Sequence, residues 1–189
     1  MKRRLQLLAA SWLAASMAGA ADWSTRSLFE ALAKDRPARA VFRETKFMAL
    51  LDKPLESSGE LVFTPPDRLE KRTLLPKPER VVVERELVTL ERGGKRHSLS
   101  LRENPAIAVL VEGLRGTLAG DLSALLRTFS VGLEGNTERW RLVLRPLDPG
   151  SATLVDRIEI GGGGAEVRTV EIFQSDGDRS LMTLSRAAP

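Results

Sequence analysis

The hydrophobic period of this chain changes twice, and that constrains its fold more than any other feature. From Ala40 to Arg102 apolar residues recur at a spacing of two. From Asn104 to Phe129 they recur at about 3.6, and from Ser130 to Ser185 the spacing of two returns. A period of two places one strand face on a core, and a period of 3.6 does the same for a helix. The chain therefore reads as two runs of strands interrupted by helices. The first run has about six strands, 40–51, 58–63, 69–75, 80–86, 87–92 and 96–102, punctuated by Asp52-Lys53-Pro54, Pro65-Pro66-Asp67, Pro76-Lys77-Pro78 and the hairpin pair Gly93-Gly94. Prolines mark these breaks because they cannot donate to a ladder, and two glycines suit a tight hairpin turn. The second run has about five, 130–133, 138–147, 152–160, 166–174 and 179–185. Its Gly161–Gly164 stretch reads as a flexible hairpin loop. Short connections favour antiparallel pairing of sequence neighbours throughout.

Between the runs, Asn104-Pro105 reads as a cap and a first-turn proline, and Ile107, Leu110, Val111, Leu114 and Leu118 form one apolar stripe. Gly113, Gly116 and Gly120 should loosen this helix. Asp121 then caps a second short helix carrying Leu122, Leu125, Leu126 and Phe129. A further amphipathic helix opens the domain, with Trp23, Leu28, Ala31 and Leu32 on one side, Ser24 or Ser27 as cap and Pro37 beyond its end. The expected fold class is mainly β with α (α+β): about 11 antiparallel strands, with an N-terminal helix and two short helices covering one apolar sheet face.

Residues 1–20 carry Lys2, Arg3 and Arg4, then a short apolar run ending in Ala18-Gly19-Ala20. This is the pattern of a secretory signal peptide cleaved after Ala20, and the run is too short for a membrane-spanning helix. The expected product is a free, soluble periplasmic protein with a single domain over residues 21–189. The leader also distorts the charge: it holds three of the 29 basic residues and no acid, so 26 bases remain against 25 acids. A chain so balanced, with no aromatics interleaved among its cations, is not expected to bind nucleic acid. Arg139, Arg141 and Arg145 read instead as the outer face of one strand, able to meet anionic head groups or an acidic partner.

Catalytic groups do not cluster. The chain has no cysteine and one histidine, His97, on an expected strand beside Lys95-Arg96. No serine sits in a Gly-x-Ser-x-Gly turn, and no His, Cys, Asp or Glu spacing suits a metal. Glu84 and Glu86 are expected to pair with Arg85 and Arg92 across strands. Neither an enzyme nor a cofactor is expected. What remains is a greasy sheet face under glycine-rich helices, which serves either as an ordinary core or as a cavity for apolar chains.

Three segments resemble the LolA family, periplasmic carriers of outer-membrane lipoproteins. They are Phe42-Arg43-Glu44-Thr45-Lys46-Phe47, the stretch from Gly59-Glu60-Leu61-Val62-Phe63 through Thr64-Pro65-Pro66-Asp67-Arg68-Leu69-Glu70, and Trp140-Arg141-Leu142-Val143-Leu144-Arg145-Pro146. The resemblance implies an incomplete antiparallel β-barrel of about 11 strands with an N-terminal helix, its concave apolar face covered by a helical lid and receiving acyl chains. It also implies a monomer that loads acylated lipoprotein or another lipid from an inner-membrane exporter and passes it to an outer-membrane acceptor. The residues expected to bind the chains are Phe47, Leu61, Phe63, Leu69, Leu110, Leu114, Leu118, Leu126, Phe129, Trp140, Leu142 and Leu144. The family's lid-pinning arginine precedes the turn proline; here Arg68 is the nearest candidate, with Thr64 and Pro65 in the usual place. The strand pattern also stops near Leu184, short of the C-terminal segment of the lipoprotein carriers, so another acylated or polyene-like lipid is kept beside lipoprotein as an expected cargo. The rival expectation is an envelope sensor or scaffold that recognises a lipidated or protein partner with the same fold.

Overall fold

The computed structural model describes residues 23–34 and 38–187, and the expected signal peptide lies outside them. The chain runs α1 (Thr25–Leu32), β1 (Ala38–Phe47), β2 (Leu55–Thr64), β3 (Arg68–Leu75), β4 (Glu79–Glu84), β5 (Leu87–Arg92) and β6 (Lys95–Ser100). A 3-10 turn (Leu101–Glu103) leads into α2 (Pro105–Ala119) and α3 (Leu122–Thr128). Then come β7 (Phe129–Gly135), β8 (Trp140–Pro146), α4 (Pro149–Ala152), β9 (Val155–Gly163), β10 (Glu166–Gln174) and β11 (Arg179–Arg186). The eleven strands form one sheet in the order β6-β5-β4-β3-β2-β1-β11-β10-β9-β8-β7, every pair antiparallel. Pairing of β1 with β11 joins the two runs, while β6 and β7 are the sheet's two edges, so the barrel is incomplete as expected.

Local chemistry explains most element boundaries. Ser24 closes a capping box on α1: its hydroxyl accepts from the Ser27 amide at 3.2 Å, and its own amide donates to the Ser27 hydroxyl at 3.0 Å. Gly93 and Gly94 take φ of 56° and 75°, the paired positive values that a two-residue hairpin turn requires. Asp121 caps α3 by accepting from the Ala124 amide at 2.9 Å. The Asn104 side chain, expected to cap α2, instead donates to the Ser100 carbonyl at 2.8 Å, anchoring the helix to the end of β6.

Five further expectations are corrected. The strand expected over 40–51 ends at Phe47, because Met48–Leu51 make a turn whose Leu50 is 94% exposed. The strand expected from Ala152 begins at Val155, since Asp148 accepts from the Ser151 amide and starts the one-turn α4. Gly161–Gly163 are not a loop but the end of β9; a Cβ on Gly162 would stand 2.4 Å from the Trp140 ring, so glycine there lets the indole lie flat on the strand. Glu84 pairs with Arg68 and Arg92 with Glu79 across the ladder, as strand register dictates, whereas Glu86, in the β4–β5 turn, meets Arg102 of the 3-10 turn. Gly113 and Gly116, expected to loosen α2, sit where it packs tightest: Cβ atoms there would meet Ile158 at 2.8 Å and Leu125 at 2.7 Å.

The convex face is laced with ion pairs. Arg141 reaches Glu134 and Glu159, and Arg145 reaches Asp156, so much of the expected cationic stripe is charge-compensated. Glu70 receives Arg80, Arg72 and Arg68 together. Hydrogen bonds from Arg80, then from Arg72 and Arg68, outweigh the cost of burial and hold its carboxyl down at about 2. A depressed carboxylate stabilises the fold above its ordinary range, and that contribution is lost as pH falls from about 5 toward 2. The guanidinium groups are partly exposed, so screening holds the whole contribution to about 1 kcal/mol. Urea denaturation should therefore find Glu70→Gln about 1 kcal/mol less stable than the native chain at pH 7. The gap should close toward pH 2; a gap that is constant with pH would exclude this titration as its source.

Candidate functional site

Helix α2 crosses the concave face and divides it into two unlike halves. On the side of β7–β9 the space is filled. Leu28, Phe29 and Leu32 of α1, Val109 of α2 and Leu125 of α3 pack on Phe129, Trp140, Leu142, Leu144, Val155, Ile158 and Ile160, none more than 4% exposed. Three helices serve this half, and the indole of Trp140, whose Nε1 donates to the Gly164 carbonyl at 3.0 Å, fills its interior.

On the side of β1–β5 only α2 covers the sheet, and a cavity of about 520 Å³ remains, within the range of about 300–1,000 Å³ usual for small-molecule sites. Its roof is Ile107, Leu110, Val111 and Leu114 of α2. Its walls are Leu61, Leu69, Val81, Val83 and Val88 on one side and Val170, Ile172 and Met182 on the other. Valines explain part of the space, since three of them stand on β4 and β5 where larger side chains would reach the helix. Beyond the walls, Phe63 and Leu101 are buried and close the far end, and Phe42 is buried beneath the polar level.

The near end is polar. Glu44, Lys46, Lys71 and Ser180 line the cavity together with Gln174, Asp178 and Arg179. Glu44 is buried; its Oε2 accepts from Lys71 Nζ at 2.5 Å and from the Ser57 hydroxyl at 3.2 Å, and Lys46 Nζ stands 3.9 Å from Oε1. Burial pushes the Glu44 carboxyl up, but the charge and hydrogen bond of Lys71, with Lys46 and Ser57, outweigh it and hold the group below its ordinary value. Lys71 also lies 4.9 Å from the centre of the Phe42 ring. The cavity reaches the strand ends here, among half-exposed Phe47, Met48 and Leu55; Leu50 and Leu51 are exposed in the β1–β2 connection, and Leu74 and Leu75 at the end of β3.

Among the expected chain-binding residues, Phe47, Leu61, Leu69, Leu110 and Leu114 line this cavity. Phe129, Trp140, Leu142 and Leu144 lie in the filled half, and Phe63 is buried at the far end. Leu118 packs on the same buried cluster as Phe63, and Leu126 is 54% exposed on α3. Arg68, the expected pin of the lid, instead faces Glu70 and Glu84 on the sheet. The pin runs the other way: Arg115 of α2 donates to the Arg85 carbonyl at 3.0 Å and lies 3.9 Å from Asp67 in the Pro65-Pro66-Asp67 turn. The sequence reading missed Glu44, Lys46 and Lys71 as cavity residues. β1 is polar on both faces through Arg43-Glu44-Thr45-Lys46, so alternation alone does not say which face is inward; Lys71, two residues after Leu69, did carry that signal.

No protein of curated function matches the chain. Distant structural likenesses include the LolA superfamily protein NE2245 from Nitrosomonas europaea, at 10% identity and a TM-score of 0.43, covering 88% of this chain and 95% of that one. Others are LprF from Mycobacterium bovis (13%, 0.37, 87% and 93%) and a domain named for outer membrane lipoprotein sorting from Vibrio parahaemolyticus (9%, 0.45, 85% and 88%). The family model for outer membrane lipoprotein carrier protein LolA-like matches residues 14–189, and the chain belongs to that family.

Proposed function

We propose that this protein is a periplasmic carrier that takes acyl chains of a lipoprotein or another lipid, without covalent attachment, into the cavity under α2 and shuttles them from inner to outer membrane. The observation that carries this reading is the cavity itself: an apolar space in a member of this family, roofed by one amphipathic helix and open at the strand ends. A sixteen-carbon chain in water costs on the order of 12 kcal/mol, at about 0.8 kcal/mol per methylene, so a lipid crosses an aqueous compartment only if shielded. Leu61, Leu69, Leu110 and Leu114 would supply that shielding, with Phe47 at the opening. Binding and release need no group that makes or breaks a bond. An inner-membrane exporter would load the carrier and an outer-membrane acceptor would empty it, each meeting the exposed leucines around the opening; residues 1–20 would direct export.

Native mass spectrometry of protein recovered from its own periplasm tests this reading. Acylated species should co-purify, and the emptied protein should bind the neutral fluorescent probe N-phenyl-1-naphthylamine. A protein that is always empty and never binds the probe would overturn the carrier and favour an envelope sensor that recognises a protein partner.

A further inference from the structure

An apolar cavity that held hydrocarbon alone would have no use for ions, and burying a carboxylate such as that of Glu44 is unfavourable until a partner offsets it. Yet the concave faces of three strands carry polar groups to one level of this cavity. Glu44 follows Phe42 on β1, Lys71 follows Leu69 on β3, and Ser180 precedes Met182 on β11, so each strand passes from apolar to polar toward the opening. Lys46, two residues beyond Glu44, adds a second ammonium nearer the solvent, 50% exposed.

The hydrogen-bonding capacity of this level is lopsided. Lys46 and Lys71 bring two positive charges and six N–H donors, of which one is spent on Glu44 and a second lies within a looser 3.9 Å ion pair. Glu44 is the acceptor in the middle and is already engaged by Lys71, Ser57 and, at 3.5 Å, Ser180. A cationic head group would have to displace Lys71 from Glu44. An acceptor-rich anion needs no such exchange: it can take the spare donors of both lysines. Arg179 does not change the sign, because it pairs with Glu171 at 2.9 Å and lies over the Phe47 ring, and Asp178 is engaged by the Ala49 amide.

We propose that the cavity selects an amphiphile with an anionic head group, its chain under α2 among Leu61, Leu69, Leu110 and Leu114 and its head held by Lys46 and Lys71 at the Glu44 level. The inference rests on the carrier reading and narrows its cargo to lipids whose anionic group, carboxylate or phosphate, lies next to the chain. Glu44 acts as a positioning residue that holds the Lys71 ammonium in place through its hydrogen bond.

Displacement of bound N-phenyl-1-naphthylamine by hexadecanoate, hexadecyl phosphate, hexadecanol and hexadecylamine tests it. The two anions should displace the probe at concentrations about tenfold or more below hexadecanol, the gain expected of a charge-assisted hydrogen bond, and hexadecylamine should be the weakest. Relative potency of the two anions reports which head is preferred. Lys71→Met alone would strand Glu44, so the informative variant is Lys71→Met with Glu44→Gln, which removes both charges. It should bring the anions to within about threefold of hexadecanol, and Lys46→Gln should lower their advantage in part. Hexadecanol matching the anions in the native chain, or an undiminished anion advantage in the double variant, overturns the head-group assignment but leaves the carrier standing. Failure of the native protein to bind the probe or any of the four overturns both.

Discussion

Trp140→Ala is expected to lower folding stability by about 3–5 kcal/mol, the usual cost of emptying a buried aromatic site, while leaving probe affinity of the folded protein nearly unchanged. The indole is 2% exposed and among the largest fully buried side chains. It lies against Gly162, and its Nε1 is held by the Gly164 carbonyl, so truncation removes packing and strands an acceptor together. Leu28, Leu125 and Ile160 belong to the same close-packed cluster and cannot collapse into the space without moving α1, α3 or β9. For a domain of this size the expected fall in melting temperature is roughly 6–20 °C, read by circular dichroism. Binding should persist because Trp140 is absent from the cavity lining. If probe affinity instead fell tenfold in a variant that stayed folded, Trp140 would be a wall of the ligand site, as the sequence alone suggested.

That contrast marks where the sequence stops being informative. Strand count, the place of the helices and the open antiparallel sheet were legible, because each is set by local periodicity and by turn residues such as Gly93-Gly94 and Asp121. Filled core and cavity were not. Leu142 and Leu61 are both apolar residues on the inner faces of strands, and nothing local separates them. The separation is made by coverage: α1, α2 and α3 share the half of the sheet that holds Leu142, whereas α2 alone covers the half that holds Leu61. The same holds for Gly161–Gly163, whose role appears only when Trp140, two strands' worth of chain away in sequence, arrives across the β8–β9 ladder. Lys71 shows the opposite case. Its place two residues after Leu69 put it on the apolar face, but a lysine on such a face reads as an edge or an exception until Glu44 is found beside it.

Leu114→Glu is expected to weaken binding of N-phenyl-1-naphthylamine about 100-fold or more, with the circular-dichroism spectrum still sheet-rich. Leu114 lines the cavity and packs on both buried clusters, so it is the residue of α2 through which the roof meets the two halves of the sheet. A carboxylate there either stays ionised and fills the apolar space with water or bends away and opens the roof; each outcome costs several kcal/mol of ligand affinity. Stability will fall as well, so the binding measurement needs two companions. Leu114→Met, which conserves volume, should bind within about threefold of the native chain. Leu126→Glu, at a residue 54% exposed on α3 and outside the cavity lining, should bind the probe as the native chain does. Glutamate is also the more telling charge at residue 114. The cavity already contains two ammonium groups, and a lysine there would add a third site for an anionic head and blur loss of the apolar wall with gain of a counter-ion. A carboxylate removes the wall and competes for Lys46 and Lys71 at once, so hexadecanoate should lose more affinity than hexadecanol. Equal loss for both would locate the damage in the roof alone and place Leu114 beyond the reach of the head-group lysines.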